Sequence, residues 1–108
     1  MYSFPLEADE TILKKCLASY SCDGDVLSGA LYLTDYRLVF VGYALSISNK
    51  YMDEVLLTHI KELRTEKTFF LIPNVLKVVT ITEKVIKFVV KDRNQWLEEI
   101  NRQIDMVN

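Results

Sequence analysis

Residues 29–40 decide the fold, and they read Gly-Ala-Leu-Tyr-Leu-Thr-Asp-Tyr-Arg-Leu-Val-Phe. Leu31 and Leu33 share one face of a first predicted strand. Leu38 and Phe40 share one face of a second strand, and the Thr-Asp step between the two predicts a tight turn. The stretch therefore predicts a β-hairpin. Because a hairpin with one apolar face is not stable alone, it implies a curved sheet around a core.

The composition is that of one globular domain, since 108 residues, half of them hydrophobic, suffice for a single core. Thirteen basic residues face fifteen acidic ones. Nucleic-acid binders usually carry a basic surplus, so no nucleic-acid partner is expected. Residues 1–11 lack the pattern of a signal peptide, and no apolar run approaches the roughly 18 residues of a membrane span. These features predict a cytoplasmic protein.

The chain offers few residues for an active site. His59 is the only histidine, and Cys16 and Cys22 are the only cysteines. Two cysteines are too few for a disulfide scaffold or for a zinc site built on cysteine pairs. A nucleophilic pair of one cysteine with His59 stays open, although the acidic neighbours of Cys22 would raise the pKa of its thiol. We predict a non-catalytic chain with no metal, no cofactor and no small-molecule substrate.

The remainder of the chain predicts more strands and one helix. Residues 12–21 fit helical as well as alternating spacing, and the Asp-Gly-Asp turn after them favours a strand. The other strands are predicted at residues 26–33, 37–42, 54–58, 59–65, 75–82 and 85–90, with a polar loop at 43–50 and a turn at 72–74. On the last strand, Phe88 is expected to face the core, because Lys87 lies on the opposite face.

A helix is predicted at the end of the chain, where the apolar period changes. Asp92 is the predicted N-cap, and Gln95 would complete a capping box. Arg93 is a cation at the helix start, where the helix dipole disfavours positive charge. We therefore expect it to interact with Glu62 or Glu66. The apolar stripe predicted to plug the sheet, with the tryptophan as a core anchor, consists of Trp96, Leu97, Ile100, Ile104 and Val107.

The hairpin and the segments after it resemble the GRAM domain, a branch of the pleckstrin-homology superfold. The resemblance lies in the Gly, the apolar-aromatic-apolar triplet, the Thr and the Arg-Leu-Val-Phe run of residues 29–40. In order along the chain follow Ile-Pro-Asn at 72–74, Phe88, Asp-Arg at 92–93 and Trp96. The family pattern often has Asp-Gly in the turn between the last two strands, where this chain has Glu-Lys.

The resemblance implies a mainly β fold, a pleckstrin-homology-like antiparallel β-barrel of about seven strands with one C-terminal α-helix. Residues 12–108 would form this domain after an extended lead-in, residues 1–11. The implied function is a non-catalytic binding or adaptor module for proteins or for peripheral membrane surfaces. A position at the inner face of the membrane is thus an alternative to a purely cytoplasmic one.

Pleckstrin-homology domains that hold phosphoinositide headgroups resemble one another in a basic first strand and a basic loop after it. The resemblance makes anionic phospholipid binding the alternative function, and the candidate lipid-binding residues are Lys14, Lys15, Arg37, Lys67 and Lys77. The loop at residues 22–25 is acidic, however, which disfavours a headgroup at that end. Arg37 also has structural alternatives, a pair with Asp35 or a stack on Tyr32.

A partner surface is predicted from exposed strand edges and aromatic residues. Tyr43, Tyr51, Phe69 and Phe70 are the candidate aromatic patch. Unpaired strand edges favour the addition of another strand, so the expected partners are a second protein or a second copy of this chain.

Overall fold

The computed structural model describes residues 4–43, 50–68 and 72–107, without the side chains of residues 43, 68, 72 and 73. Seven strands and one α-helix follow the lead-in. The strands are β1 Ile12–Cys22, β2 Asp25–Thr34, β3 Arg37–Tyr43, β4 Lys50–Leu56, β5 Ile60–Thr68, β6 Ile72–Thr80 and β7 Val85–Val90. A short 3₁₀ turn, Leu57–His59, joins β4 to β5, and the helix α1 is Arg93–Val107.

All seven strands form one antiparallel sheet in the order β4-β3-β2-β1-β7-β6-β5. The sheet curls into a half-barrel whose edges are β4 and β5, and α1 packs against it. The predicted fold class is therefore confirmed. The β1–β2 turn, the end of β3, the start of β4 and the β6–β7 turn share one end of the half-barrel, which we call the mouth.

The core lies on the concave face of the sheet, and the predicted faces are confirmed. Leu31 and Leu33 of β2 are fully buried, and so is Phe40 of β3. On β7, Phe88 is buried while the neighbouring Val89 is exposed. Trp96 of α1 is 1% exposed and belongs to the same core, so the helix closes the half-barrel as predicted.

The opposite face of the β2–β3 hairpin is buried as well, which the sequence analysis did not anticipate. Ala30, Tyr32, Val39 and Val41 form a second apolar cluster, and Phe4 of the lead-in packs against it. The Phe4 and Tyr32 rings meet edge to face with centroids 5.0 Å apart. The lead-in therefore covers the outer face of the hairpin.

Several element boundaries differ from the prediction. β4 starts at Lys50 rather than at residue 54, because pairing with β3 extends a segment whose own alternation is weak. Residues 57–59 form the 3₁₀ turn rather than strand. The predicted turn at 72–74 lies inside β6, opposite an irregularity in the β5–β6 ladder where a proline costs no hydrogen bond. The predicted loop at 43–50 lies mostly outside the described residues.

The start of α1 also differs in detail. Asp92 directly precedes α1 as predicted, but its φ of 58° departs from the extended conformation usual for an N-cap residue. Its backbone carbonyl accepts the N–H groups of Gln95 and Trp96, as the carbonyl of an N-cap residue does. The expected interaction of Arg93 with Glu66 is present, because its Nη1 donates a hydrogen bond to the backbone carbonyl of Glu66 at 2.9 Å. No helix within the described ranges is long and apolar enough to cross a membrane.

Candidate functional site

Arg37 organises the end of the half-barrel opposite the mouth. It is the first residue of β3 and is only 5% exposed. Its Nε and Nη2 donate to the two carboxylate oxygens of Glu10 at 2.8 and 2.9 Å. Nη1 donates to Glu54 of β4, and Nη2 also reaches the carbonyl of Pro5 at 2.9 Å. One guanidinium thus joins the lead-in, the hairpin and β4.

Thr34 fixes the turn that presents this arginine. Its hydroxyl oxygen accepts the backbone N–H groups of Tyr36 and Arg37, both at 3.0 Å. The same hydroxyl donates to Glu10 at 2.6 Å. Thr34 and Glu10 are both buried, and no buried side-chain nitrogen or oxygen among the described residues lacks a hydrogen-bond partner. We call Glu10, Thr34, Arg37 and Glu54 the Arg37 cluster.

The charges of the Arg37 cluster stabilise one another. The Arg37 guanidinium lowers the pKa of Glu10 to about 2, which outweighs the opposite effect of burial. The Glu10 carboxylate in turn raises the pKa of Arg37. Arg37 also lies over the Phe4 ring, 5.2 Å from its centroid. Glu10 and Arg37 are therefore both ionised at neutral pH, and their bonds hold the lead-in against the sheet.

Above the Arg37 cluster lies a groove of about 810 Å³, which we call the Tyr36 groove. Tyr36 of the β2–β3 turn, Leu56 at the end of β4 and Val107 at the end of α1 supply its apolar side chains. They are 45%, 37% and 37% exposed. Its remaining lining residues are Glu7, Ala8, Arg37, Glu54 and Thr58. Four separate parts of the chain thus meet around one concavity.

A second polar network links β1, β4 and the β6–β7 turn. The buried Tyr20 hydroxyl donates to Asp53 at 2.5 Å and lies 3.0 Å from the Tyr51 hydroxyl. Lys84 of the β6–β7 turn donates to the same Asp53 carboxylate at 2.8 Å. Burial, followed by the bond to Asp53, raises the pKa of Tyr20. The network ties β4 to the β6–β7 turn across the mouth.

Among the described residues that line the cavity beside His59, there is no cysteine. The cavity beside His59 measures about 300 Å³, and its other lining residues are Glu54, Val55, Leu56, Thr80, Ile81, Thr82 and Lys84. Both cysteines are free, and burial raises the pKa of Cys16 and of Cys22. Among the residues that the structure describes, no group of histidine, cysteine and acidic side chains is arranged to hold a metal ion.

A model of the GRAM domain family matches residues 1–102. The chain belongs to the GRAM domain family. GRAM and pleckstrin-homology-like domains are typically binding modules for membrane lipids or proteins, and they are generally non-catalytic. The family match begins at residue 1, so it includes the segment that the sequence analysis separates as a lead-in.

Two solved structures resemble this GRAM domain. The C-terminal domain of an unknown protein from Leishmania infantum has 19% identity and a TM-score of 0.71, covering 90% of this chain and 86% of that one. The Vps36 N-terminal PH domain has 12% identity and a TM-score of 0.73, covering 95% of this chain and 85% of that one. At these identities the likeness shows the fold alone. No curated protein matches the chain.

The GRAM domain does not bring the predicted lipid-binding residues together. Arg37 is buried, and its guanidinium is bonded to the carboxylates of Glu10 and Glu54 rather than to Asp35, so it is not presented at the surface. Lys14 and Lys15 lie near the start of β1, far from the mouth. Successive strand residues point to opposite faces, so the side chains of Lys14 and Lys15 do not share a surface. Lys14 Nζ lies 5.4 Å from the centre of the Trp96 ring.

Lys67 and Lys77 lie on β5 and β6, away from β1. Lys77 stands opposite Arg64 on one side and Lys87 on the other, on the outer face of the sheet. We call Arg64, Lys77 and Lys87 the basic row. The Glu66 carboxylate lies 2.8 Å from Lys87 and 3.9 Å from Lys77, so it offsets part of the positive charge of this row.

Of the predicted aromatic patch, only Tyr51 has a described side chain, and it is 37% exposed beside the Tyr20 network. The Tyr43 side chain, Phe69 and Phe70 lie outside the described residues. The sequence analysis missed Glu10 and the Tyr36 groove. The only local indication of the groove in the sequence was Tyr36, an aromatic side chain in a polar turn. The other lining residues come from segments that are distant in sequence.

Proposed function

We propose that this GRAM domain is a non-catalytic adaptor that binds a segment of another protein in the Tyr36 groove. The exposure of Tyr36, Leu56 and Val107 around one concavity carries the proposal. Concave surfaces with apolar walls and a few polar groups are the usual binding sites of folded domains. The Arg37 cluster lies beneath and is internally paired, so the walls keep their positions when a segment enters.

The composition of the mouth supports this choice of surface. Tyr20, Asp53 and Lys84 are engaged with one another there. Asp23 and Asp25 are exposed on the β1–β2 turn and would repel an anionic headgroup. A partner bound in the Tyr36 groove, at the opposite end, does not have to contact these residues.

Peptide selection tests the proposal. Random linear peptides displayed on phage are selected against the full chain, and recovered peptides are titrated by fluorescence anisotropy. Replacing the groove residue Leu56 with serine is expected to weaken binding about tenfold, because an apolar contact is lost. The matched control is Leu17→Ser, since Leu17 is 75% exposed on the outer face of β1.

The control variant should bind the recovered peptides as the parent does. The proposal falls if no peptide is recovered, or if Leu56→Ser and Leu17→Ser weaken binding equally. Both substitutions concern exposed side chains, so both proteins should fold; their thermal unfolding midpoints check this point.

We propose an anionic membrane surface as a second candidate partner, met by the outer face of the sheet. The observation that favours it is the basic row, whose three cations stand opposite one another across β5, β6 and β7. Lys15 lies on the same face by strand alternation. Lys67 of β5 is exposed, whereas Lys14 and Arg37 are engaged elsewhere. Because Glu66 offsets part of the charge, such binding would be weak and sensitive to salt.

Vesicle sedimentation at low salt tests this second candidate. More protein should sediment with phosphatidylserine-containing vesicles than with phosphatidylcholine vesicles. Lys77→Glu should lower the apparent affinity by on the order of tenfold, since a basic residue near a membrane contributes about 1 kcal/mol. Lys61→Glu is the control, because Lys61 lies outside the basic row and pairs with Glu83. Equal recovery with both vesicle types would rule out the candidate.

A further inference from the structure

The Tyr36 groove has an excess of negative charge. Among the described residues that line it, Arg37 is the one cation, and it faces the carboxylates of Glu10 and Glu54. Glu7 adds another carboxylate to the wall of the groove. The side chain of Glu54 remains 43% exposed despite its pair with Arg37. An incoming segment therefore meets carboxylates beside the apolar side chains.

The surroundings of the groove extend this charge. Asp9 follows Glu7 in the lead-in, and Asp105 lies in the last turn of α1 beside Val107; both are exposed. The last turn of α1 contains no basic residue that would offset them. Lys14 and Lys15 lie at the same end of the domain on β1, but neither lines the groove, so the acidic groups dominate the groove wall itself.

We infer, on the basis of the proposed function, that the segment bound in the Tyr36 groove is cationic and carries an apolar anchor. A leucine, methionine or phenylalanine would pack between Tyr36 and Leu56, and flanking lysine or arginine residues would face Glu7 and Glu54. An acidic segment finds no compensation there. The donors of Arg37 already serve Glu10, Glu54 and Pro5.

The amino-acid composition of the peptides recovered by phage selection tests this inference. The recovered peptides should be enriched in lysine and arginine relative to the starting library. A labelled recovered peptide should bind about tenfold more weakly to Glu7→Lys than to the parent, and raising the salt concentration should weaken the parent complex. The control is Glu98→Lys, because Glu98 is an exposed acid on α1 that does not line the groove. The same peptide with its basic residues replaced by glutamine should also bind more weakly.

The outcomes separate this inference from the proposed function. If peptides bind in a Leu56-dependent way but lack a basic excess, or ignore Glu7→Lys, the cationic partner is wrong and the adaptor role stands. If no recovered peptide depends on Leu56, both fall. A basic excess together with Leu56 dependence and Glu7 dependence supports both.

Discussion

Replacing Arg37 with methionine is expected to lower the free energy of unfolding by about 3–5 kcal/mol. Methionine fills much of the same volume but leaves the Glu10 carboxylate buried without its cation. Removing one partner of a buried ion pair leaves an uncompensated charge and strongly destabilises a protein. Replacing both partners with apolar residues is often nearly neutral, so the loss comes from the unpaired charge. Urea unfolding followed by the fluorescence of the buried Trp96 measures the change.

Two further variants identify the cause of that loss. Arg64→Met removes an exposed ion pair with Glu62 and should change stability by at most about 0.5 kcal/mol. Adding Glu10→Gln to Arg37→Met should recover part of the loss, because the uncompensated charge is gone. If Arg37→Met costs no more than Arg64→Met, the Arg37 cluster does not hold the lead-in in place.

The parts of the fold that were predicted correctly are those that a local period determines. Along β2 and β3, alternation alone placed Leu31 and Phe40 in the core, because neighbouring side chains on a strand must point to opposite faces. The helical period after residue 92 placed Trp96 and Ile100 against the sheet in the same way. These predictions need no information from distant residues.

The predictions that failed depend on contacts between distant residues. Glu10 and Arg37 are 27 positions apart, so no local pattern joins them. A cation beside a predicted turn suggested an exposed lipid ligand, whereas the lead-in covers it. The second apolar cluster was missed for the same reason, since Phe4 is distant in sequence from Tyr32. Register irregularities such as that between Glu66 and Thr68 also arise only when strands pair.

In the candidate site, too, the locally determined feature was predicted and the features that depend on distant residues were not. Tyr36 was visible as an aromatic residue in a turn, yet its partners Leu56 and Val107 come from the ends of β4 and α1. Only the curl of the sheet brings those ends together. A groove formed at the junction of four segments is thus a property of the topology, and its acidity comes from Glu7 of the lead-in together with Glu54 of β4.

The Arg37 cluster should also make the stability of the domain depend on pH below about 4.5. Glu10 has a pKa of about 2 in the folded protein against an ordinary value of 4.5, so folding favours its ionised form. A lowered pKa contributes stability that is fully present above pH 4.5 and is lost as the pH falls toward 2. The size of the shift corresponds to about 3 kcal/mol. Urea unfolding between pH 7 and pH 2 measures the change.

Glu10→Gln separates this effect from the titration of other acids, because glutamine cannot ionise. The variant should be less stable than the parent at pH 7, since Arg37 then lacks its buried counter-charge. The difference between the two proteins should shrink steadily from pH 4.5 to pH 2, where the parent becomes protonated at Glu10 as well. A constant difference across that range would mean that Glu10 does not titrate there, and the ion pair would not be what anchors the lead-in beside the groove.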